Sequence, residues 1–450
     1  MRRMLMVLVG VLVWTTVARA EELAAPAKAP FAYVWAKAWH IPPETTTEES
    51  GYFSLCEGLN GRVYVGCAAY GRDSYLVEFD PAAAAMRIVL DTHKLAGLPL
   101  TPTGYAAQSK IHTRNFVGPS GRIYVGTKQG YPTAEEKKTG VVAEYKGGYV
   151  MVYDPATGIA TNLGMPMPLD DAARAAGKKE GQGVIDVTAD EARGLIYVIT
   201  CEEQRWMLYT MTNRTYRELG PILRDQPNTI IDAQGRGSAI TKDFQVARYD
   251  PATGKVSVDP LMVEGKTFAE FLGADRIHPD WRIAPDGKTA YLQLLNDKRL
   301  FRVDLSGAMG QPVQAVNLGD RIAGENPDSR GSLSIGPDGR VYSVTRADNK
   351  TGFGAGYLHH LVRHDPAKGT IEDLGVLAVQ NPDFFDFAAP QAKNPDGSLR
   401  PIHGYHKLPD GTLVPLHVIM AMIVTRDGTI YATTIYPFTL LKVESVKAMR

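Results

Sequence analysis

Histidine, tyrosine and the basic side chains carry the chemistry this sequence offers. It holds 10 histidines and 21 tyrosines among 450 residues, but only 3 cysteines. In Lys110-Ile111-His112-Thr113-Arg114 a histidine precedes an arginine by two positions, so on a strand both side chains leave from the same face. Tyr131 and Tyr149 follow, and Lys128 and Arg205 add cations. Such a set suits β-elimination from a uronic-acid polymer. A cation neutralises the sugar carboxylate and acidifies the adjacent C–H, a neutral imidazole or phenol removes that proton, and a second group protonates the departing oxygen. In that scheme His112 is the base and Tyr131 or Tyr149 the acid or co-base. Arg114, Lys128 and Arg205 hold the carboxylate, and His278, Arg346 and His403 make further substrate contacts. A different use is open to His360, His406 and His417, joined by His403. Imidazoles suit divalent transition metals, so the cofactor these residues admit is a divalent ion (Zn, Mn or Ca) serving a hydrolase or lactonase. Taken singly, a histidine at a strand end more often just hydrogen-bonds the backbone. His364 reads as packing, and His40 and His93 as surface residues.

Other chemistries are excluded by what is missing. There is no serine nucleophile elbow and no phosphate-cradling glycine loop. The glycines of Gly61–Gly66 and Gly352–Gly356 are turn glycines with no helix behind them, so they are not a dinucleotide fingerprint. A glycosidase needs two carboxylates at a set spacing, and Glu202 and Glu203 have no evident partner. The 49 Lys+Arg against 49 Asp+Glu leave no net charge, which argues against a basic nucleic-acid binder. At 44% hydrophobic and 22% charged residues the chain is of ordinary globular composition, neither disordered nor a coiled coil.

What must position these residues is an imperfect repeat. Gly61-Arg62-Val63-Tyr64-Val65-Gly66 returns as Gly121-Arg122-Ile123-Tyr124-Val125-Gly126, as Gly339-Arg340-Val341-Tyr342-Ser343 and as Gly428-Thr429-Ile430-Tyr431-Ala432. Each alternates like a strand after a turn signal. A second segment ends in a turn: Tyr153-Asp154-Pro155-Ala156-Thr157-Gly158, Tyr249-Asp250-Pro251-Ala252-Thr253-Gly254 and His364-Asp365-Pro366-Ala367-Lys368-Gly369. Proline suits the first corner of such a turn and glycine its left-handed residue. The repeat units fall at about 50–92, 108–165, 184–222, 228–262, 278–320, 330–378 and 415–445. Four-stranded sheets set radially leave few exposed edges, so the expected fold is an all-β, seven-bladed β-propeller closed by a strand from Phe31–Ala36. Two β-sandwich domains would explain the repeat less well. In a propeller the starts of the inner strands and the loops between second and third strands ring one mouth of the channel. That sorting gathers His112, Gln182, His278, Arg330 and His417 with the loops holding Lys128, Tyr131, Arg205, Trp206, Arg346 and Tyr436. The long segments 127–148, 346–358 and 379–414 exceed what a compact domain usually tolerates without function.

Met1–Ala20 reads as a secretory leader. Arg2 and Arg3 precede an apolar run that ends at Ala18-Arg19-Ala20, a small-x-small cleavage pattern. The remaining plan is a linker over 21–30 and a single propeller domain over 31–450 with the insertion 379–414. Removing Arg2, Arg3 and Arg19 leaves 46 basic against 49 acidic residues, and no later stretch is long and apolar enough to span a membrane. An exported protein, periplasmic or extracellular, is expected. Cys56, Cys67 and Cys201 are too few for a disulfide framework and read as buried thiols.

The stretch Lys110–Arg114, followed by Gly121–Thr127 and by Gly147-Gly148-Tyr149-Val150-Met151-Val152-Tyr153-Asp154-Pro155, resembles exported bacterial seven-bladed propellers, some of them polysaccharide lyases of the ulvan lyase type. The resemblance implies an acidic polysaccharide as partner, no nucleic acid, no membrane once the leader is gone, and a site of histidines, a tyrosine and an arginine in the second and third blades. His112 fits the first histidine and Arg205 the arginine. Where a second histidine would stand, the chain has Thr127, Lys128 and Tyr131. A noncatalytic propeller that binds glycan or protein is the alternative class.

Overall fold

The structure is a computed structural model that describes residues 28–47, 49–100, 104–273, 278–388 and 404–443. The leader, His403 and the interior of the 379–414 insertion lie outside the described residues. Strands dominate, and the four α-helices among the described residues have five or six residues each.

The chain folds as successive antiparallel meanders. In the most regular of them, Gly183–Asp190, Leu195–Cys201, Arg205–Thr210 and Thr215–Ile222 pair in chain order. Burial follows that order. The first two strands are buried at every residue, the third is half-buried only at its ends, and the fourth alternates with the solvent. This gradient explains the sequence pattern, because a strand covered on both faces reads as a continuous apolar run and an edge strand does not. Similar groups are built from Glu49–Glu57 to Ala85–Asp91, from Phe116–Val117 to Ile159–Asn162, from Ile230–Ile231 to Lys255–Val263, from Pro279–Ile283 to Val313–Asp320, and from Leu333–Ile335 to Thr370–Val379.

The last group takes its outermost strand from the N-terminus. Ile419–Val424, Ile430–Thr434 and Thr439–Val443 pair in order, and Tyr33–His40 adds to Thr439–Val443 with Trp39 opposite Leu440. Apolar clusters then link each sheet to the next. Val150 packs with Val184, Tyr197 with Tyr249, Ile240 with Leu292, Leu300 with Leu333, and Leu361 with Met422. Leu55 and Val63 pack with Met420 and Leu440, so the last sheet closes on the first.

Local chemistry supports this packing. In the Asp-Pro-Ala turns the aspartate accepts the second following amide, Ala156 onto Asp154 at 2.9 Å, and the glycine closes the turn at φ +71° for Gly158. At Gly126 a side chain would meet Thr113 Cγ2 at 2.7 Å and Val184 Cγ1 closer still. The repeat's closing glycine is therefore required by a neighbouring sheet rather than by backbone conformation.

Candidate functional site

Lys110–Ile111 is a short strand, and the His112 amide continues its pairing by donating to the Gly126 carbonyl at 3.0 Å. Lys110 and His112 therefore both lie at the channel, as alternation requires. His112 is 3% exposed, and the Phe53 ring lies edge-on 6.3 Å from it. Burial holds its imidazole well below the usual histidine range, and the charges of Lys128, Lys110, His278 and Arg114 add to the effect. A neutral base thus sits where several cations converge.

The insertion 127–148 supplies the aromatic rim. Tyr131 is 54% exposed and leans on Tyr70 with ring centroids 5.1 Å apart. The Lys110 ammonium lies 4.6 Å from the Tyr70 ring and 5.2 Å from that of Tyr131, within cation–π range. The loop itself is anchored by a capping box of Thr133 and Glu136 on the helix Ala134–Thr139, and by the Tyr145 hydroxyl donating to Gln108 at 3.2 Å.

Lys128 extends across to the next sheet. Its ammonium is 2.9 Å from Glu202 and 3.0 Å from the Cys201 sulfur. Burial opposes the charge, but the Glu202 carboxylate favours it, and Lys128 stays protonated. Burial also raises the Cys201 pKa and keeps it a thiol, which leaves Glu202 as the anionic partner. His278 follows, with Nε2 2.9 Å from Asp225. That contact lowers the Asp225 pKa against the opposing effect of burial. Glu202 at φ +84° and His278 at φ +54° both hold left-handed backbone. Residues other than glycine adopt it at a cost, and such strain gathers at functional sites.

The structure separates other residues from this group. Arg205 is engaged with Glu203 at 3.2 Å and Glu218 at 3.1 Å, towards its sheet's outermost strand. Tyr149 packs half-buried against the core between the first two sheets, and its carbonyl accepts from the Thr127 amide. Arg114 lies deeper in the channel, 3.2 Å from Asp280. Trp206 is fully buried against Tyr197, its indole donating to Thr229 at 3.2 Å, and does not reach the mouth. Arg346 stacks 4.2 Å from Tyr357 and approaches Asp328 at 3.5 Å.

The histidines read as metal ligands have separate partners. His360 points to Asp373 at 2.7 Å, His417 lies edge-on to Tyr436 at 4.9 Å, and His406 sits on the hairpin Tyr405–Lys407 and Leu413–Pro415. Among the described residues no three His, Cys, Asp or Glu side chains converge to hold a metal ion. His403 lies outside the described residues. His364 packs beside Tyr291, as its repeat position implies, and His40 is exposed. His93 corrects its surface reading. It is 1% exposed, with Nδ1 on the Pro99 carbonyl at 2.6 Å and Nε2 accepting from the Gln108 amide at 2.9 Å.

Lys110, Tyr70 and Asp225 belong to the mouth without having been singled out from the sequence. Lys110 carried a signal, because it stands two residues before His112 on the same strand face. Asp225 had none, since it lies between repeat units.

No family model and no curated protein matches the sequence. Solved structures match it in fold. The β-propeller domain of Cps50 (Swd1) from Myceliophteria thermophila is similar over 90% of this chain and 98% of its own, with a TM-score of 0.50 and 11% identity. The RRP9 WD40 repeats are similar over 92% of this chain and 99% of theirs, with a TM-score of 0.50 and 6% identity. The all-β chain is a β-propeller. No helix among the described residues is long and apolar enough to cross a membrane.

Proposed function

We propose that the chain is an exported seven-bladed propeller, periplasmic or extracellular, that takes an acidic polysaccharide at this mouth and cleaves it by β-elimination. The blade count is supported by the closed succession of packed sheets. One observation carries the functional reading: a neutral imidazole, His112, lies within the field of Lys110 and Lys128, and the same Lys110 ammonium meets the ring of an exposed tyrosine, Tyr131. Lys110 and Lys128 neutralise a uronate carboxylate, and Tyr70 with Tyr131 offers a face on which a sugar ring can stack. His112 takes the proton from the carbon next to the carboxylate. The electron pair of that C–H bond forms the C=C bond, and the glycosidic oxygen leaves and takes a proton from Tyr131. An incoming carboxylate also cancels the positive field that adds to burial in depressing His112, which strengthens the base when substrate is in place.

A noncatalytic glycan-binding propeller is the second reading. It is favoured by the burial of His112, which leaves little room for direct contact. A panel of acidic polysaccharides, followed by the ultraviolet absorbance of a newly unsaturated uronate, separates the two. The lyase reading expects product with at least one uronate polymer and none from His112→Ala. Binding without product, unchanged in His112→Ala, establishes the second reading instead.

A further inference from the structure

A groove on the outer part of the ring, between the second sheet (116–162) and the third (183–222), is not used by the proposed lyase chemistry. It measures about 600 Å³ and lies at the other end of the strands from the mouth, because Arg122, which lines it, directly precedes Ile123–Lys128. Val152, Ile196 and Met211 line it with the Tyr209 ring, and so does Ile159, which is 63% exposed. The second sheet leaves this space by departing from the repeat. In the first sheet Glu78 faces Tyr64, and Arg87 faces Glu78. Glu78 takes Arg62 at 2.5 Å and Arg87 at 2.7 Å, and Asp80 takes Arg62 at 3.1 Å. In the sheet from Leu333–Ile335 to Thr370–Val379 the same positions hold Arg363 and Glu372, paired at 2.6 Å. In the second sheet they hold Val152 and Thr161. These shorter side chains leave room, and the ion pair of Arg122 with Asp154 is long, at 3.7 Å.

The third sheet adds a cation without a partner. Its turn closes with the Arg214 amide donating to the Thr210 carbonyl at 2.8 Å, the bond that Gly158, Gly254 and Gly369 make in three other sheets. Arg214 holds the left-handed backbone of those glycines at φ +57°. That conformation costs a residue with a side chain, and such strain gathers at ligand sites. The Arg214 guanidinium has no ion pair or hydrogen bond among the described residues. Arg122 and Arg214 stand at the same end of neighbouring sheets, since Asp154, beside Arg122, opens the equivalent turn of the second sheet. We propose that the groove binds a small organic carboxylate with an apolar body, its carboxylate on Arg214 in the field of Arg122 and its body against Val152, Ile196 and Tyr209. Two guanidiniums and one carboxylate, Asp154, line the groove, so a monoanion balances them. Glu191, whose charge also reaches Arg122, is taken up by the hydroxyls of Ser120 and Tyr124. A guanidinium fork matches a carboxylate, and the volume falls within the range of about 300–1,000 Å³ common to small-molecule sites.

Isothermal titration of the whole protein with phenylacetate tests this, with 2-phenylethanol (no carboxylate) and acetate (no apolar body) as controls. Phenylacetate should bind with a millimolar or tighter Kd, and neither control measurably. Arg214→Gly restores the residue that the repeat uses at this turn. It should therefore unfold no more easily than the parent, while binding phenylacetate about ten-fold more weakly through loss of a charged hydrogen bond. Val152→Glu puts into the groove the carboxylate that the first sheet carries and should abolish binding; if that variant does not fold, Arg214→Gly decides the matter. Absence of phenylacetate binding at millimolar concentration would overturn the proposal. Equal binding by 2-phenylethanol, or undiminished binding by Arg214→Gly, would overturn it too. The outcome does not depend on lyase activity at the mouth.

Discussion

Replacing Asp186 by asparagine should make the protein more stable, and by an amount that depends on pH. Asp186 is 1% exposed on an inner strand, Gly183–Asp190, where it is flanked by Val184, Ile185 and Val187. Burial raises its pKa from 3.8 to about 6, although Arg114, the Thr229 amide and Arg282 pull the other way. The folded protein therefore holds this proton more tightly than the unfolded chain, and stability falls as pH rises between the two values. The difference is worth about 3 kcal/mol above neutral pH. Asparagine has the same shape, keeps an oxygen to accept the Thr229 amide, and carries no charge to bury. Urea unfolding should show Asp186→Asn more stable than the parent by about 3 kcal/mol near pH 8 but by only about 1 kcal/mol near pH 4.5. A gain of equal size at both pH values, or a loss at pH 8, would refute the reasoning. The carboxylate would then be compensated by Arg114 and Arg282 rather than strained by burial.

Other perturbations have equally definite outcomes. Arg248 and Asp259 are 2.6 Å apart and both nearly inaccessible; Arg248 also donates to the carbonyls of Gly307 and Ala308 from the next sheet, and Asp259 accepts from the Ser257 hydroxyl and the Gly310 amide. Arg248→Ala should cost about 3–5 kcal/mol in urea unfolding, because it leaves a buried carboxylate without its cation. The depressed His112 pKa means that the unfolded chain takes up protons first below about pH 6.5, so stability falls on acidification. His112→Gln should reduce that acid loss, and an NMR titration should show the His112 pKa rising when an acidic oligosaccharide binds. Gly126→Ala should lower stability by about 1–3 kcal/mol through overpacking against Thr113 and Val184. Removal of residues 28–40 takes away the strand paired with Thr439–Val443, and thermal unfolding should shift downward with loss of a single sharp transition.

The sequence displayed the fold more fully than the site, for a physical reason. Strand alternation, the Gly-Arg-Val-Tyr motif and the Asp-Pro-Ala turns are local patterns that recur with each sheet, so the repeat reveals the architecture even where single copies are weak. Placement at the mouth was legible for His112, Lys128 and His278, which stand at strand ends fixed by that repeat. Side-chain direction was not. Arg205 turns to Glu218 and Trp206 turns into the core, because adjacent positions on one strand face opposite ways. Arg114 was read as sharing a face with His112, and the structure sets its side chain against Asp280, a partner on a distant part of the chain that no local pattern marks. His93 looked like a surface residue because its partners, Pro99 and Gln108, lie on an irregular loop that no pattern marks. The His360, His406 and His417 group rested on a shared face of the ring, and residues on one face need not be neighbours.

The latch between Trp39 and Leu440 also bears on how the molecule is made. The strand Tyr33–His40 finds its partner Thr439–Val443 only after the rest of the ring has been synthesised. Joining ends so far apart adds little to the equilibrium cost, because closure entropy grows only with the logarithm of length, but contacts of such long range slow folding. Until that moment the edges of Thr439–Val443 and Thr370–Val379, which the first strand covers on either side, stand open to other chains. The period before closure is therefore when the protein is most exposed to aggregation, and a chaperone that shields the first strand would act at that step.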